Sequence, residues 1–323
     1  MADKLTMKDL AQRAGVSEAT VSRALADSPR VKLATRTRIQ RLAQELGYSP
    51  NQLARSIRVQ RTQTIGMIIP NILNPFFTSL IRAIEDAAKA QHYDVVIVNT
   101  DEQPDAERDA IQLLQGKRVD GLLIASTDPN QDYDRLLGAT PTVFVDRAPN
   151  GPITYDRLLV DNVAGTQRVI ANLITRGARR IGIINSSASA TATERLQGYR
   201  QALLNHGLPV DPDIIVSARK DNGNVQQMTR QLLQNQKCDA LFAADNTILL
   251  EVLHKLPELT LSTYFISGFD DNDWLNFVSP AITTAKQPIQ EIGVAALNRL
   301  LARIANHHLL PTEKRFQPGL VVR

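Results

Sequence analysis

The chain has 323 residues, of which 43% are hydrophobic, so it is long enough to form about two to three domains with sizeable cores. No apolar run approaches the roughly 20 residues of a membrane-spanning helix, and the opening stretch MADKLTMKDL contains no apolar signal-peptide core. The single cysteine, Cys238, excludes an internal disulfide framework and fits a reducing compartment, so we expect a cytoplasmic protein with no membrane partner.

The net charge of +4 is divided unevenly along the chain. Residues 1–62 contain twelve Lys and Arg against five Asp and Glu, a net charge of +7, which leaves −3 for residues 63–323. A basic segment ahead of a mildly acidic body predicts that the front of the chain meets a polyanion such as double-stranded DNA. The alternative is an ordinary basic surface exposed to solvent.

Residues 6–26, TMKDLAQRAGVSEATVSRALA, have the pattern of two short helices joined by a tight turn. Thr6 has the position of an N-cap, and Asp9 stands three residues later, where a capping-box acid belongs. Gly15 is expected to end the first helix, because glycine accepts the positive φ that a helix C-terminus often needs. Ser17 then has the position of the cap of the second helix.

This layout is typical of a helix-turn-helix whose second helix enters the major groove of DNA by its N-terminal turn. Arg23 is our candidate for reading a base, because a guanidinium can donate two hydrogen bonds to the O6 and N7 atoms of guanine. Ser17 and Thr20 are short hydroxyl donors that suit backbone phosphates. An ordinary helical hairpin with a solvated face is the alternative interpretation.

A third helix is predicted over residues 32–46, with Gly47 ending it, which completes a three-helix unit. The segments AGVSEATVSRAL and LGYSPNQLARSIR resemble the headpiece of the lactose-repressor (LacI/GalR) family. The resemblance implies a DNA-binding headpiece over residues 1–48, followed by a hinge over residues 49–62. The DNA-contacting residues that we expect in the two segments are Thr6, Ser17, Glu18, Ala19, Thr20, Ser22, Arg23, Arg30, Asn51, Ala54 and Ile57.

The hinge segment contains the short stretch QLARSIRV. Pro50 breaks the preceding helix, and Asn51 could cap a new one that is too short to be stable alone in water. The family resemblance implies that this piece orders on the operator and wedges a large apolar side chain into the minor groove. That side chain is Ile57 here, where leucine is commoner in the family, and a dimer contact is its alternative role.

From Thr64 onwards, short apolar runs alternate with helical segments in two successive series. The first series includes TIGMIIP, DVVIVNT, VDGLLIAS and TVFVD, and the second includes RIGIINS, DIIVSA, ALFAAD and TYFISGFD. The alternation predicts an α/β fold with parallel sheets in two similar lobes and a ligand cleft beyond the carboxyl ends of the strands. The region resembles the family's core, which shares the fold of periplasmic sugar-binding proteins. We expect the first lobe at about 63–159 and 288–311, and the second at about 160–287 and 312–323.

The same resemblance implies that a small sugar effector binds between the lobes. A monosaccharide needs polar partners for its hydroxyls and an aromatic wall for its ring. The expected effector-binding residues are Asn74, Phe76, Phe77, Asp146, Arg147, Arg195, Asp245, Asp270, Trp274 and Gln287. Structural alternatives stay open, since the two phenylalanines could be core, Asp146 and Arg147 could be an ion pair, and Asp270 could be a turn residue.

Two features of this set bear on the identity of the effector. The family usually has Asn-Asp where this chain has Asp245 followed by Asn246, so a carboxylate takes the place of an amide. Arg147 and Arg195, if they face one pocket, suit a carboxylate-bearing ligand. The segments NPFF and GFDDNDW also resemble regulators that answer to sugar acids such as 2-ketogluconate or 2-keto-3-deoxygluconate. Neutral hexoses remain an open alternative.

The resemblance further implies a homodimeric repressor that binds a near-palindromic operator and is released when the effector closes the cleft. The tail LVVR carries no leucine heptad of the kind that makes tetramers in some repressors, so we expect a dimer. A regulator whose ligand acts as a corepressor is one alternative. A sugar-binding protein of a transport system is the other, but it should have an export signal and no basic headpiece.

Catalysis is not expected from this sequence. It contains no phosphate loop ending in Gly-Lys-Ser/Thr and no cysteine cluster for zinc. Ser186, Ser187 and Ser189 lie in one loop without a matching His and Asp pattern. The five histidines also lack the paired spacing on a helix face that binds a metal; they are His92, His206, His254, His307 and His308. We therefore expect neither a cofactor nor a metal.

Overall fold

The structure is a computed structural model that describes residues 5–25, 27–48, 61–186, 189–218, 224–255, 264–279 and 281–323. The chain divides into two compact units, the first ending at Thr62 and the second beginning at Gln63. Three residues of the predicted hinge, Asn51, Ala54 and Ile57, lie outside the described residues. None of the described helices is long and apolar enough to cross a membrane.

The described residues of the first unit form three helices, α1 (Met7–Ala14), α2 (Glu18–Leu25) and α3 (Leu33–Glu45). Thr6 and Asp9 form the predicted capping box, and Gly15 ends α1 with a φ of 64°. The Ser17 hydroxyl oxygen accepts a hydrogen bond from the Thr20 amide at 3.2 Å, which confirms Ser17 as the cap of α2. The helices close over one small core made of Leu10, Ala11, Ala14, Val21, Ala24, Val31, Ile39 and Ala43.

Strands and helices alternate along the second unit. The chain runs through β1 (Thr64–Ile69), α4 (Pro75–Ala90), β2 (Asp94–Asn99), α5 (Pro104–Gly116), β3 (Gly121–Ile124), α6 (Tyr133–Leu137), β4 (Thr142–Val145) and β5 (Asp156–Val160). It continues through α7 (Asn162–Thr175), β6 (Ile181–Ser186), α8 (Ala190–Asn205), β7 (Ile215–Ala218), α9 (Val225–Arg230), β8 (Ala240–Ala243), α10 (Asn246–Lys255) and β9 (Phe265–Phe269). The last elements are β10 (Thr283–Lys286), α11 (Ile289–Ala305), β11 (Glu313–Phe316) and β12 (Gly319–Val321).

The strands of the second unit form two sheets, one in each lobe. The first sheet has the strand order β11–β5–β4–β3–β1–β2, and the described pairs are parallel. The second has the order β12–β10–β9–β8–β6–β7, in which β12 runs antiparallel to β10. The central strands are buried along their whole length because helices cover both faces of each sheet. This is the two-lobed α/β architecture that the alternating pattern predicted.

The assignment of residues 312–323 to the second lobe is wrong for β11. Glu313–Phe316 pairs in parallel with the strand Arg157–Val160 of the first sheet, and β12 alone joins the second. Phe316 is the one buried residue of β11, so this segment carries no hydrophobic strand pattern from which a strand could be predicted. The chain therefore passes from the first sheet to the second once more after Phe316.

Asp156 anchors the edge where β11 joins the first sheet. Its carboxylate is fully buried and accepts hydrogen bonds from Arg303 Nε at 2.6 Å and from the Thr312 amide at 2.9 Å. Arg299 Nε lies 2.8 Å from Asp156 Oδ1, the oxygen that accepts from the Thr312 amide. One side chain thus ties β5 to α11 and to the residue that precedes β11.

Replacing Asp156 with alanine should lower the free energy of unfolding by about 3–5 kcal/mol, because two largely buried arginines lose their counter-charge. Denaturant titration followed by circular dichroism measures this change. Asp109, which is exposed on α5, provides the control, and its replacement by alanine should have little effect. Equal losses from the two substitutions would contradict the anchoring role of Asp156.

Candidate functional site

The first unit presents one side of α2 to solvent. Glu18, Ala19 and Arg23 are exposed and Ser22 is half-buried, whereas Val21 and Ala24 face the core. These four outward residues recur at helical spacing, so they share one face of the helix. The candidate base-reading arginine therefore stands on a surface of short side chains that permits a close approach to base edges.

The other predicted DNA contacts in this unit that the structure describes are Thr6, Ser17, Thr20 and Arg30. The Ser17 and Thr20 hydroxyl oxygens lie 2.9 Å apart, and the Thr6 hydroxyl donates to Asp9 Oδ2 at 2.6 Å. Arg30 is exposed in the turn between α2 and α3. The roles of Thr6 and Ser17 in helix capping are observed, while their contacts with phosphates stay predictions.

The second unit contains a cleft of about 330 Å³ between its two lobes. The loops that follow β1, β2 and β4 meet the start of α8, the loop after β8 and the end of β9 there, so the carboxyl ends of both sheets converge on one space. A cavity of this size suits a small molecule. The predicted effector-binding residues that line it are Asn74, Phe76, Phe77, Asp146, Arg147, Arg195, Asp245 and Asp270.

The aromatic pair at the start of α4 belongs both to the core and to the wall of the cleft. The rings of Phe76 and Phe77 are nearly fully buried and meet edge to face, with centroids 5.1 Å apart. Asn74 caps the helix by accepting a hydrogen bond from the Phe76 amide at 2.9 Å. Core packing is therefore observed for both rings, and their contact with a sugar ring stays a prediction.

The first lobe contributes a charged cluster after β4. Asp146 adopts a φ of 65°, which turns the chain at the strand end. Arg147 Nη1 donates to Glu102 Oε2 at 2.7 Å, and Arg147 Nε lies 3.6 Å from Asp146 Oδ2. Burial raises the pKa of Asp146 to about 6, although Arg147 and Arg195 oppose that rise. The Asp146–Arg147 ion pair, which the sequence left open as an alternative, is thus part of a three-residue cluster that also contains Glu102.

The second lobe supplies the direct contacts of Arg195 at the cleft wall. Arg195 Nε donates to Asn162 Oδ1 at 2.9 Å, and Nη1 donates to the Ala244 carbonyl at 2.6 Å. The guanidinium carbon lies 3.8 Å from the centroid of the Phe269 ring, and Nη1 lies 3.9 Å from Asp270 Oδ2. These contacts place the guanidinium in the lining of the cleft.

Gln287 reaches the cleft only through a neighbour, whereas Asp245 lines it directly. Gln287 is buried behind the wall, and its Nε2 donates to Asp270 Oδ1. Burial raises the pKa of Asp270, while Arg195 and this hydrogen bond oppose the rise. Asp245 lines the cleft but also caps α10, since its Oδ1 accepts from the Ile248 amide at 2.9 Å. The carboxylate that departs from the family pattern thus has a local structural role.

Trp274 is not brought to the cleft with the others. Its ring packs against the apolar cluster of the second lobe that contains Leu275 and Ile282, and the residue is not among those that line the cleft. The short helical turn Asp273–Phe277 directs it there. The expectation that Trp274 stacks on a sugar ring therefore has no support from its position.

Gly198 sets the distance between the two helices that carry Asn162 and Arg195. A Cβ atom at this position of α8 would lie 2.5 Å from the Val163 carbonyl oxygen on α7 and 2.9 Å from the Thr166 Cβ. Neither of these neighbours is the end of a flexible chain, so only glycine permits this approach. The close contact brings the Asn162 amide within hydrogen-bond reach of the guanidinium.

Several residues of the cleft were missed in the sequence. Each of Asn71, Glu102 and Asn185 lies at or just beyond the end of a strand, a signal that was available, and Glu251 lies farther along α10. Asn185 is buried, its Nδ2 donates to the Ala192 carbonyl at 2.9 Å, and its Oδ1 has no partner among the described residues. The cleft therefore offers more hydrogen-bond acceptors than the sequence analysis assigned to it.

The described part of the chain contains no group of three or more His, Cys, Asp or Glu side chains placed to hold a metal ion. Cys238 is buried in the second lobe, and burial raises the pKa of its thiol to about 11. A buried, protonated thiol packs as a small apolar side chain.

Comparison with known proteins identifies matches over both units. A family model described as "Bacterial regulatory proteins, lacI family" matches residues 6–51, and one described as "Periplasmic binding proteins and sugar binding domain of LacI family" matches residues 62–251. A probable transcriptional regulator EndR of Paenibacillus polymyxa is 34% identical, over 93% of this chain and 90% of the relative. The ribose operon repressor of Escherichia coli K12 is 31% identical, over 98% of each chain. The Lac repressor dimer bound to operator shares the fold, with a TM-score of 0.84 at 22% identity, over 99% of this chain and 98% of that one.

Asp146 should titrate near pH 6 in the folded protein. Because burial raises its pKa from the ordinary 3.8, the stability that its protonated form contributes is full below about pH 4 and is lost as the pH rises through about 6. The free energy of unfolding of the wild type, minus that of Asp146→Asn, should therefore fall across this interval by about 1.4 kcal/mol per unit of pKa shift. Denaturant titrations at a series of pH values measure it. If the difference between the two free energies of unfolding does not change between pH 4 and 7, the pKa of Asp146 is not raised by burial.

Proposed function

The chain belongs to the LacI family of DNA-binding transcriptional regulators, and we propose that it represses a carbohydrate-use operon until a small sugar or sugar acid releases it from the operator. In this proposal, residues 1–48 read the DNA, residues 49–62 form the hinge, and residues 63–323 bind the effector and pair two subunits. The observation that carries the proposal is the polar cleft at the carboxyl ends of both sheets, in a chain that also has an exposed recognition helix.

The operator is read by a pair of headpieces in this mechanism. Two subunits related by a two-fold axis place one α2 helix in each of two half-sites, so the operator is near-palindromic. Arg23 donates to a guanine, and the hydroxyls of Ser17 and Thr20 meet backbone phosphates. The Lac repressor relative, which is described as a dimer bound to its operator, supports the pairing.

Effector binding changes the preferred arrangement of the lobes. A ligand that contacts both walls of the cleft shifts the equilibrium only by the difference between its affinities for the two arrangements. A coupling of about 1–3 kcal/mol between sugar and operator is sufficient for regulation. We propose that the ligand releases the protein from the operator. The alternative is a corepressor, which would tighten operator binding. Operator affinity measured with and without the ligand distinguishes the two.

The hydrogen bonds of the cleft favour a neutral sugar as the first candidate effector. Arg147 Nη1 is engaged by Glu102, while its Nε has no hydrogen-bond partner among the described residues, and Arg195 is engaged by Asn162 and the Ala244 carbonyl. Carboxylates and the Asn185 Oδ1 atom leave acceptors at the wall, and sugar hydroxyls can donate to them. Ribose is the first compound to test, because one relative is named as a ribose operon repressor.

A sugar acid is the second candidate, and one observation favours it. Arg147 and Arg195 are both largely buried in the wall of a single cleft, where a guanidinium can bind a carboxylate by two hydrogen bonds. Thermal-shift measurements with D-ribose, neutral hexoses, 2-ketogluconate and 2-keto-3-deoxygluconate separate the two classes. A specific ligand at 100 times its dissociation constant should stabilise the fold by about 2.7 kcal/mol. If no member of either class raises the melting temperature, the carbohydrate proposal is wrong.

Arg23→Ala should lose operator preference by about ten- to a hundredfold, because one bidentate base contact disappears, while binding to random duplex DNA falls only slightly. Fluorescence anisotropy with duplexes from the neighbouring intergenic region and with scrambled duplexes measures both affinities. Arg41→Ala, an exposed arginine of α3, controls for the loss of one positive charge. Equal losses on specific and random DNA would remove Arg23 from base reading.

Arg195→Ala should abolish the response to the effector and leave operator affinity without effector nearly unchanged. The reason is that Arg195 lines the cleft and is buried within the second lobe. The readout is operator affinity with and without the sugar identified by thermal shift. Arg180→Ala serves as the control, since Arg180 lies in the same lobe and does not line the cleft. A retained response in the Arg195 variant would exclude this residue from the effector site.

A further inference from the structure

One ion pair joins the two lobes at the edge of the cleft. Arg315 lies on β11 in the first sheet, and its Nη1 donates to Glu194 Oε1 on α8 of the second lobe at 2.8 Å. Arg315 Nε is held in turn by Glu313 Oε1 at 2.9 Å. The arginine is thus oriented from its own strand and reaches across to the other lobe.

The second oxygen of Glu194 continues this contact toward the cleft. Glu194 Oε2 accepts a hydrogen bond from Asn162 Nδ2 at 2.8 Å, and Asn162 Oδ1 accepts one from Arg195 Nε at 2.9 Å. Asn162 is buried where the chain passes from the first lobe to the second. An unbroken series of hydrogen bonds therefore runs from a strand of the first lobe to the arginine that lines the cleft.

We propose that Arg315, Glu194 and Asn162 form an interlobe latch that positions Arg195 and makes its orientation depend on the arrangement of the lobes. All three are positioning residues, since Arg195 is the member of the series that lines the cleft. When the lobes move apart at this edge, Arg315 leaves Glu194, and the support of the Asn162 amide weakens with it.

The chemistry of the amide makes the series directional. The Asn162 side chain has one donor end and one acceptor end, and a carboxylate on one side and a guanidinium on the other accept only one orientation of it. Glu194 and, at the longer distance of 3.3 Å, the Val160 carbonyl accept hydrogen bonds from Asn162 Nδ2 and so direct the oxygen of Asn162 toward Arg195. Without the carboxylate, the amide keeps only the longer of these two bonds, and its oxygen is held less firmly toward the guanidinium.

Space for such a change exists beside the latch. A second cavity of about 140 Å³ is lined by Glu194, Arg315 and Arg157, and it shares Asp146 and Arg147 with the effector cleft. A polar space of this size can admit water when the pair separates. The latch thus lies between the effector cleft and a compartment that can hydrate its charges.

The structure also contains a closely matched pair that does not cross between lobes. Arg180 Nη2 and Asp211 Oδ2 are 2.8 Å apart with side chains 38% and 26% exposed, while the Arg315–Glu194 pair has the same distance with 39% and 27% exposed. Both members of the control pair lie in the second lobe. If the Arg315–Glu194 pair only stabilised its surroundings, substitutions in the two pairs should have equal effects.

The first test measures the distance between the lobes without any effector. Nitroxide labels are placed on cysteines introduced at the exposed Gln112 and Asn205, in a Cys238→Ala background diluted with unlabelled protein. Arg315→Met should broaden or shift the pulsed-EPR distance distribution, because the interlobe contact is lost. Arg180→Met should leave the distribution unchanged. An unchanged distribution in the Arg315 variant, or an equal change in both variants, overturns the proposal.

The second test measures the positioning of Arg195 through hydrogen exchange of its Nε–H group in ¹⁵N-arginine-labelled protein. Since partly exposed ion pairs are weak, Glu194→Gln and Arg315→Met should each raise this exchange rate by about two- to fivefold. The double variant should exceed the larger single effect by little, because both act on one series. The Arg180 Nε–H group, which donates to the Gln236 carbonyl at 2.7 Å, is the internal reference and should be unaffected.

Asp211→Asn is the matched control for Glu194→Gln and should leave the Arg195 exchange rate unchanged. If both latch variants exchange like the wild type, or if Asp211→Asn raises the rate equally, the latch does not position Arg195. Glu194→Gln is nearly isosteric, so it decides the question even if Arg315→Met does not fold. A link between the latch and the effector response rests on the proposed function. Both measurements are made without an effector. The latch proposal and the proposed function can therefore fail separately.

Discussion

The arrangement of the cleft depends on one constraint: charged side chains are buried at the carboxyl ends of two facing sheets, and burying a charge costs free energy. Asp146 and Asp270 stand on opposite walls of the cleft, and burial raises the pKa of both. Each is kept near a guanidinium, Arg147 in the first lobe and Arg195 in the second, because an unpaired buried charge is strongly destabilising. The cleft is polar, and its two arginines already have partners within their own walls, Arg147 with Glu102 and Arg195 with Asn162 and the Ala244 carbonyl. A ligand then meets fixed groups and needs little further ordering of the site.

The way the chain crosses between the lobes gives this cleft its mechanical properties. Three passages join the sheets, and β11 and β12, only a few residues apart, belong to different sheets. Asp156 secures one side of this junction, and Gly198 keeps α7 and α8 close on the other. Residues near the passages, among them Asn162, therefore contact groups that move with different lobes. A small movement of one lobe relative to the other can therefore alter the contacts of such residues beside the cleft, even when the packing inside each lobe stays the same.

Local signals were sufficient to predict the headpiece and most strands. The Thr6–Asp9 capping box, Gly15 and Ser17 act within a few residues, so their geometry follows from the sequence alone. The predicted cleft set came together largely because parallel strands end at one edge, which places the residue after each strand in a common space. Two predicted residues do not line the cleft: Gln287 is buried behind its wall, and a short helical turn directs the ring of Trp274 into the second core.

The sequence by itself determined the α/β alternation, the three-helix headpiece and the positions of the strand ends, because these depend on periodicity and on capping within one turn. Only the tertiary structure decided that β11 joins the first sheet, that Glu102 engages Arg147, and that Glu194 reaches Arg315. The partners in these contacts lie 45 residues apart in one case and 121 in the other. A carboxylate carries the same local pattern whether it faces solvent or an arginine, so its partner is set by how the lobes pack and not by its neighbours in the chain.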